Sequence, residues 1–199
     1  MEMDMKIEEI MDGNFSAEDN RIQYKRLEAD EINRELFRQF IRHQEVTKCW
    51  RKENGQWVIR DVPFVDDWTE EEFQKLAQLL KRTVNRGGFV CAAFWEGVLK
   101  GFVSVEAGLF GGEERYLDLS SIHVSEDMRG KGIGKVLFAA AKKWARENGA
   151  GKLYISSHSA VESQAFYKAM GCVEAKVYHS GHVEQEPFDC QLECEVRTS

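Results

Sequence analysis

The sequence predicts a single α/β domain on a mixed, mostly antiparallel sheet of about seven strands, flanked by about four helices. Three observations predict it. Short runs in which apolar and polar residues alternate are interspersed with longer runs whose apolar residues recur at three and four. In order these read strand, two helices, three strands, helix, strand, helix, two strands. Two tight-turn signals, Asn54-Gly55 and Glu96-Gly97, each sit between strand-like runs and so form hairpins.

Taken along the chain, residues 1–20 are a polar leader and the domain occupies 21–199. RIQYKRL (21–27) alternates as a strand with Ile22, Tyr24 and Leu27 inward. Asp30 can cap a helix in which Ile32, Leu36 and Phe40 recur at fours. KCWRKENGQWVIRD (48–61) places a hairpin inside an extra segment, 43–68. Thr69-Glu70-Glu71-Glu72 is a capping box, Phe73, Leu76, Leu80 and Val84 form one apolar face, and Gly87-Gly88 ends that helix. GFVCAAFWEGVLKGFVSVEAGLF (88–110) makes two strands and RYLDLSSIHV (115–124) a third. Ile133, Val136, Leu137, Ala140, Ala141 and Trp144 mark a helix that Gly149 stops. KLYISS (152–157) is a strand. Ser159-Ala160-Val161-Glu162 reads as a second capping box, opening a helix closed by Gly171, and CVEAKVY (172–178) and FDCQLECEV (188–196) are closing strands.

Bulk properties exclude several classes of function. A net charge of −7 and pI near 5.4 argue against nucleic acid as partner and are compatible with a cationic ligand. Five cysteines, an odd number with no C-x-x-C pair, suggest reduced thiols rather than a disulfide framework or a metal site. The acidic start MEMDMKIEEIMDGNF is unlike a secretory leader, and no run of about 18 apolar residues spans a membrane. A cytoplasmic protein is expected.

The stretch HVSEDMRGKGIGKVLF (123–138) carries the chemistry. Glycines before a helix let successive backbone N–H groups converge on an anion, and the helix end adds about half a positive charge. Two phosphate-loop templates fail here. A G-x-x-x-x-G-K-[ST] loop would need glycine where Arg129 stands and a hydroxyl where Val136 stands. A G-x-G-x-x-G fingerprint starting at Gly130 or Gly132 ends on Lys135 or Leu137. What remains, Arg129-x-x-Gly132-x-Gly134, suits a pyrophosphate that is held and not cut.

Arg-Gly-Lys-Gly-Ile-Gly (129–134) after a strand ending Ile-His-Val resembles the [Q/R]-x-x-G-x-[G/A] signature of the GNAT superfamily of N-acetyltransferases. KLYISS and SQAFYKAMGC (163–172) follow in that family's order and spacing, so the resemblance spans roughly 21–196. Two positions depart from the pattern: Ala160 replaces a common Asn, and Cys172 a common Phe. The resemblance implies splayed central parallel strands and acetyl-CoA as co-substrate, without a metal. It implies the pantetheine arm against Ile122, His123 and Val124, and the pyrophosphate on Arg129, Gly130, Lys131, Gly132, Ile133 and Gly134. Tyr167 takes the place of the phenol that protonates the leaving thiolate. For the base that deprotonates the amine, Asp118 and Glu106 are the candidates, with water as a third option.

Of the histidines, His123 is expected to be unremarkable, His158 to cap or sit in a loop, and His179 and His182 to lie on a surface loop. Trp50, Trp57, Asp66 and Asp67 could line a groove for a cationic amine, or else form a small apolar clamp and a solvated acid pair. The expected activity is acetylation of a primary amine on a small molecule. A protein or peptide acceptor and a non-catalytic acyl-CoA sensor are the alternatives. The resemblance also implies that a homodimer could form through closing strands such as FDCQLECEV.

Overall fold

In the computed structural model residues 15–17 and 20–196 are described, and they hold eleven strands and four α-helices. The strands of the first half are β1 (Phe15–Ala17), β2 (Asn20–Arg26), β3 (Glu45–Glu53), β4 (Gln56–Val65), β5 (Phe89–Trp95) and β6 (Val98–Val105). Those of the second half are β7 (Tyr116–Asp118), β8 (Ser121–Val124), β9 (Lys152–Ser157), β10 (Val173–Glu174) and β11 (Cys190–Glu195). The helices are α1 (Glu70–Asn85), α2 (Ile133–Glu147), α3 (Val161–Ala169) and α4 (Ser180–Gln185).

Both hairpins form where the turn residues predict them. Asn54-Gly55 and Glu96-Gly97 each place two successive residues at positive φ, as a two-residue hairpin turn requires. Strands β1-β2-β5-β6-β8 make one antiparallel sheet, β10-β11-β9-β7 a second, and β3-β4 a separate arm. Helices α2 and α3 cover one face over a core that includes Val103, Leu117, Leu137 and Ile155. Helix α1 covers the opposite face of the first sheet over Phe37, Leu80, Val90 and Phe102. The Thr69–Glu72 capping box that starts α1 is present in both directions.

The strand expected over 115–124 is broken into β7 and β8, which belong to different sheets. The cause lies in the spacing of apolar residues. Leu117 and Leu119 face the α2 core, and so do Ile122 and Val124. The step from 119 to 122 is three, so one extra residue must be inserted, as in a bulge. Leu119 N donates to Tyr154 O (2.9 Å) and the next residue, Ser120, donates to Ser104 O (3.0 Å). Parallel pairing with β9 therefore ends at Asp118↔Tyr154, while β8 continues along β6 alone. These are the splayed central strands.

Other departures are local. The helix expected from Asp30 is a single 3₁₀ turn, Arg34–Phe37, capped by Asn33 Oδ1. Phe37 and Phe40, three apart, drive this tighter turn by packing together on Phe73 and Phe102. Ser159 does not cap α3. Its hydroxyl accepts from Arg51 Nη1 (2.6 Å) and its carbonyl from Trp50 N (2.8 Å), which bind the β3–β4 arm to the β9–α3 connection. Cys49 and Val46 of the arm bury against Ala160 at the same point. The closing strand β11 pairs along its whole length with β9 on one side and, at Glu193 and Leu192, with the two-residue β10 on the other. Strand β1 falls inside the stretch read as a leader and pairs with β2; residues 1–14 and 18–19 of that stretch lie outside the described residues. All five cysteines are buried and unpaired. Among the described residues no helix is long and apolar enough to cross a membrane.

Candidate active site

Where β8 leaves β9, a cavity of about 690 Å³ opens. One wall is Leu119–Val124, the other Ser156, Ser157 and His158 at the end of β9. The glycine loop closes one end, and Phe166 and Tyr167 of α3 form part of the lining. Strand β8 pairs with β6 alone, which leaves its other edge able to bond an extended ligand near Ile122, His123 and Val124, where Arg129 Nε also approaches Val124 O (3.4 Å).

The loop has a geometry that suits an anion. Gly130 (φ 76°) and Gly132 (φ 81°) take a left-handed backbone that side chains disfavour. Gly132 is the N-cap of α2 and supplies no side chain, so the first N–H groups of the helix have no capping partner. Gly134 stands against Phe166, whose Cε2 would lie 3.2 Å from an added Cβ. Arg129 is anchored by its Nη2 to His43 O (2.6 Å), which holds its charge at the loop, and Lys135 also lines the cavity. Lys131 lies 5.9 Å from the Trp95 ring centroid, outside the cavity lining. An uncapped helix end, two left-handed glycines and a fixed guanidinium fit a pyrophosphate.

His123 lines the cavity with its ring packed on Trp68 (4.6 Å) and Phe102 (5.4 Å). Burial, with Arg42 and Arg129 nearby, pushes its pKa down to about 3, so it is neutral at ordinary pH. Tyr167 is 8% exposed and meets the Ser157 side chain. Burial first, and Cys172 second, raise its pKa well above 10, so the hydroxyl keeps its proton. His158, in the loop between β9 and α3, accepts at Nδ1 from Ala160 N (3.0 Å) and also lines the cavity.

Neither candidate base lines the cavity wall. Glu106 Oε1 accepts from Thr83 Oγ1 (2.6 Å) and from Ser120 Oγ (3.3 Å), and only Ser120 reaches the cavity. Asp118 Oδ2 is 2.8 Å from His182 Nε2, and its Oδ1 is buried with no partner among the described residues. His182 was expected on a surface loop. It sits instead on the short helix α4, half-buried and in contact with Tyr154. Its pKa is raised, chiefly by the hydrogen bond to Asp118. Asp189, just before β11, is bonded to Ser156 Oγ (3.1 Å), and burial raises its pKa. No run or spacing in the sequence singled out Asp189; the three-residue spacing of His179 and His182 was the one available sign of α4.

The lining considered for Trp50, Trp57, Asp66 and Asp67 does not form. Asp66 is paired with Arg42, Asp67 with His43 Nδ1 (2.6 Å), and Trp57 Nε1 donates to Glu174 (3.1 Å). None of Trp50, Trp57, Asp66 and Asp67 reaches the cavity. An apolar cluster does form in this segment, but from other residues: Val46 and Cys49 pack with Val62, Phe64 and Ala160. Arg42, Gln44 and Glu45, which drew no attention in the sequence, do line the cavity.

A split sheet that opens onto an uncapped, glycine-flanked helix end, with a protonated phenol across the gap, defines a transferase-like α/β site for a pyrophosphate-bearing donor. The chain belongs to the acetyltransferase (GNAT) family, whose sequence pattern matches residues 34–172. Among solved structures it is similar to nourseothricin acetyltransferase (TM-score 0.65, 18% identity, covering 89% of this chain and 100% of that one). It is also similar to the PaiA N-acetyltransferase of Thermoplasma acidophilum in complex with coenzyme A (TM-score 0.52, 15% identity, 87% and 98% covered). A third is aminoglycoside 6'-N-acetyltransferase complexed with coenzyme A (TM-score 0.53, 15% identity, 66% and 86% covered). At these identities the likeness is one of fold. A search of curated proteins gives no match. Among the described residues no group of three or more His, Cys, Asp or Glu side chains is placed to hold a metal ion.

Proposed function

We propose that the protein transfers an acetyl group from acetyl-CoA directly to a primary amine of a small molecule. The observation that carries this reading is the uncapped start of α2, with its left-handed glycines, at the end of a cavity that Tyr167 also lines. Coenzyme A bound in two proteins of similar fold supports the donor.

Acetyl-CoA supplies the activated acyl group. The residues of this chain bind and orient it. Gly130–Gly134 and Arg129 hold the pyrophosphate through backbone N–H groups and charge. The free edge of β8 aligns the pantetheine arm. Tyr167, protonated at neutral pH, gives its proton to the sulfur as the C–S bond breaks. The proton that activates the amine leaves on the side of Asp118 and Glu106; Glu106 is committed to Thr83 and Ser120, which favours the Asp118 side. A small acceptor is favoured over a peptide because the β3–β4 arm is fastened to the β9–α3 connection beside the cavity.

The test is a screen of polyamines, amino acids, aminoglycosides and peptides, read by release of free thiol from acetyl-CoA. Amine-dependent release with small acceptors is expected. Release with peptides alone would replace the acceptor class, and saturable coenzyme A binding without release would make the protein a sensor.

A further inference from the structure

The chain that reaches the cavity carries, one pleat earlier, Asp118, and this carboxylate is paired with a histidine of α4 that the reaction as outlined leaves unused. Asp118 precedes cavity-lining Ser120 by two residues, and Tyr154 precedes cavity-lining Ser156 by two. Side chains two apart share a face and stand about 7 Å apart along the strand. Asp118 and Tyr154 are register partners at the last parallel pair before the splay. The His182 ring lies over the Tyr154 ring (5.9 Å between centroids, 23° between planes) and hydrogen-bonds Asp118 through Nε2 at 2.8 Å. The pair thus sits at the apex of the wedge, on the sheet face opposite α2.

We propose that His182, held by Asp118, receives the proton of the acceptor amine, and that Asp118 is a positioning residue rather than the base itself. This rests on the acetyltransferase reading above. When neutral, an imidazole that donates from Nε2 to a carboxylate presents Nδ1 as its acceptor. Asp118 fixes that tautomer and stabilises the cation formed. The carboxylate's second oxygen, Oδ1, is buried with no partner among the described residues, so Asp118 has His182 as its one hydrogen-bonded side-chain partner. Other titratable groups face the ring as well: Tyr154 from β9, Asp189 from the segment before β11, and His179 from the start of α4 (4.8 Å between centroids). The pair raises the histidine's affinity for a proton, in line with the upward shift of its pKa.

The step balances. The ammonium R–NH₃⁺ passes one proton to His182 Nδ1, by way of a bridging water across the pleat. The freed lone pair forms the N–C bond, the C–S bond breaks, and the sulfur leaves with the electron pair and takes the Tyr167 proton. The second amine proton returns to Tyr167, and His182 releases its proton to solvent, one per turnover.

The experiment is kcat/KM against pH for wild type, His182→Gln and Asp118→Asn, using an aliphatic amine whose own pKa, near 10, lies above the range scanned. Coenzyme A affinity is measured by calorimetry in parallel. In the wild type the acid limb is expected above the ordinary histidine value of about 6.5. His182→Gln should lower kcat/KM by about 100-fold or more and remove that limb, with coenzyme A affinity unchanged. Asp118→Asn, which keeps the side chain's shape, should shift the limb to lower pH. A wild-type rate and limb in His182→Gln, or an unmoved limb in Asp118→Asn, overturns the proposal alone. No turnover by the wild type on any amine overturns the acetyltransferase reading and this proposal together.

Discussion

The glycine-loop end of the cavity and the side-chain cluster just behind its Ser120–Ser156 end are built on different principles. At the glycine loop the groups offered to a ligand are main-chain N–H groups at a helix start, and side chains matter there mainly by being absent. Behind Ser120 and Ser156, at the last parallel pair before the splay, the cluster is made of side chains drawn from four separate segments, Asp118, Tyr154, His182 and Asp189, none of which lines the cavity itself. A backbone device is written in a few consecutive residues. A side-chain constellation exists only once the sheet has folded.

The contrast can be broken first at the loop. Gly132→Val puts a β-branched residue at φ 81°, a conformation that only glycine takes readily, so it must distort the anion cradle. Coenzyme A affinity measured by calorimetry should fall by about 100-fold or more, with the rest of the fold intact by circular dichroism. An unchanged affinity would remove the loop from the donor site.

Tyr167→Phe comes next. It keeps the packed ring against Phe138 and Phe166 and removes only the hydroxyl. A fall in kcat of about 100-fold with little change in coenzyme A affinity is expected; full kcat would end the acid role.

A smaller effect concerns stability. His123 has a folded pKa near 3, below its unfolded value of about 6.5. A depressed histidine pKa means that the unfolded chain binds the extra proton. The stability it contributes is fully present above pH 6.5 and is lost as pH falls from there towards 3. Urea midpoints across that window should drop more steeply in wild type than in His123→Phe. Parallel slopes would show that His123 does not control the acid limb of stability.

The smallest effect is expected at Asp67. The pair with His43 is exposed, so Asp67→Asn should leave acceptor KM within about two-fold of wild type. A large rise in KM would return the acidic residues of 43–68 to the acceptor site.

What was legible in the sequence follows the same division. The glycine loop, both hairpins, the α1 capping box and the helix faces rest on neighbours in the chain, and each could be read from local spacing. Tyr167 and the edge at Ile122–Val124 came through the family resemblance, and the structure brings both to the cavity. The break of the 115–124 strand was written in the three-residue step from Leu119 to Ile122, but alternation alone does not show which face a core will occupy. The Asp118–His182 pair joins residues 64 apart through a short polar helix with no apolar periodicity to reveal it. The acid residues of 43–68 misled for a related reason: their cations, Arg42 and His43, arrive across the mouth of the arm from 24 residues away.

The central claim is that this cavity moves an acetyl group. It is tested most directly by incubating the wild-type chain with acetyl-CoA and a panel of small primary amines, following free thiol and the mass of the amine together. The account predicts thiol release that depends on the amine, matched one for one by an acetylated product, and reduced in Tyr167→Phe. Tight coenzyme A binding with no thiol release and no acetylated product on any amine would contradict it.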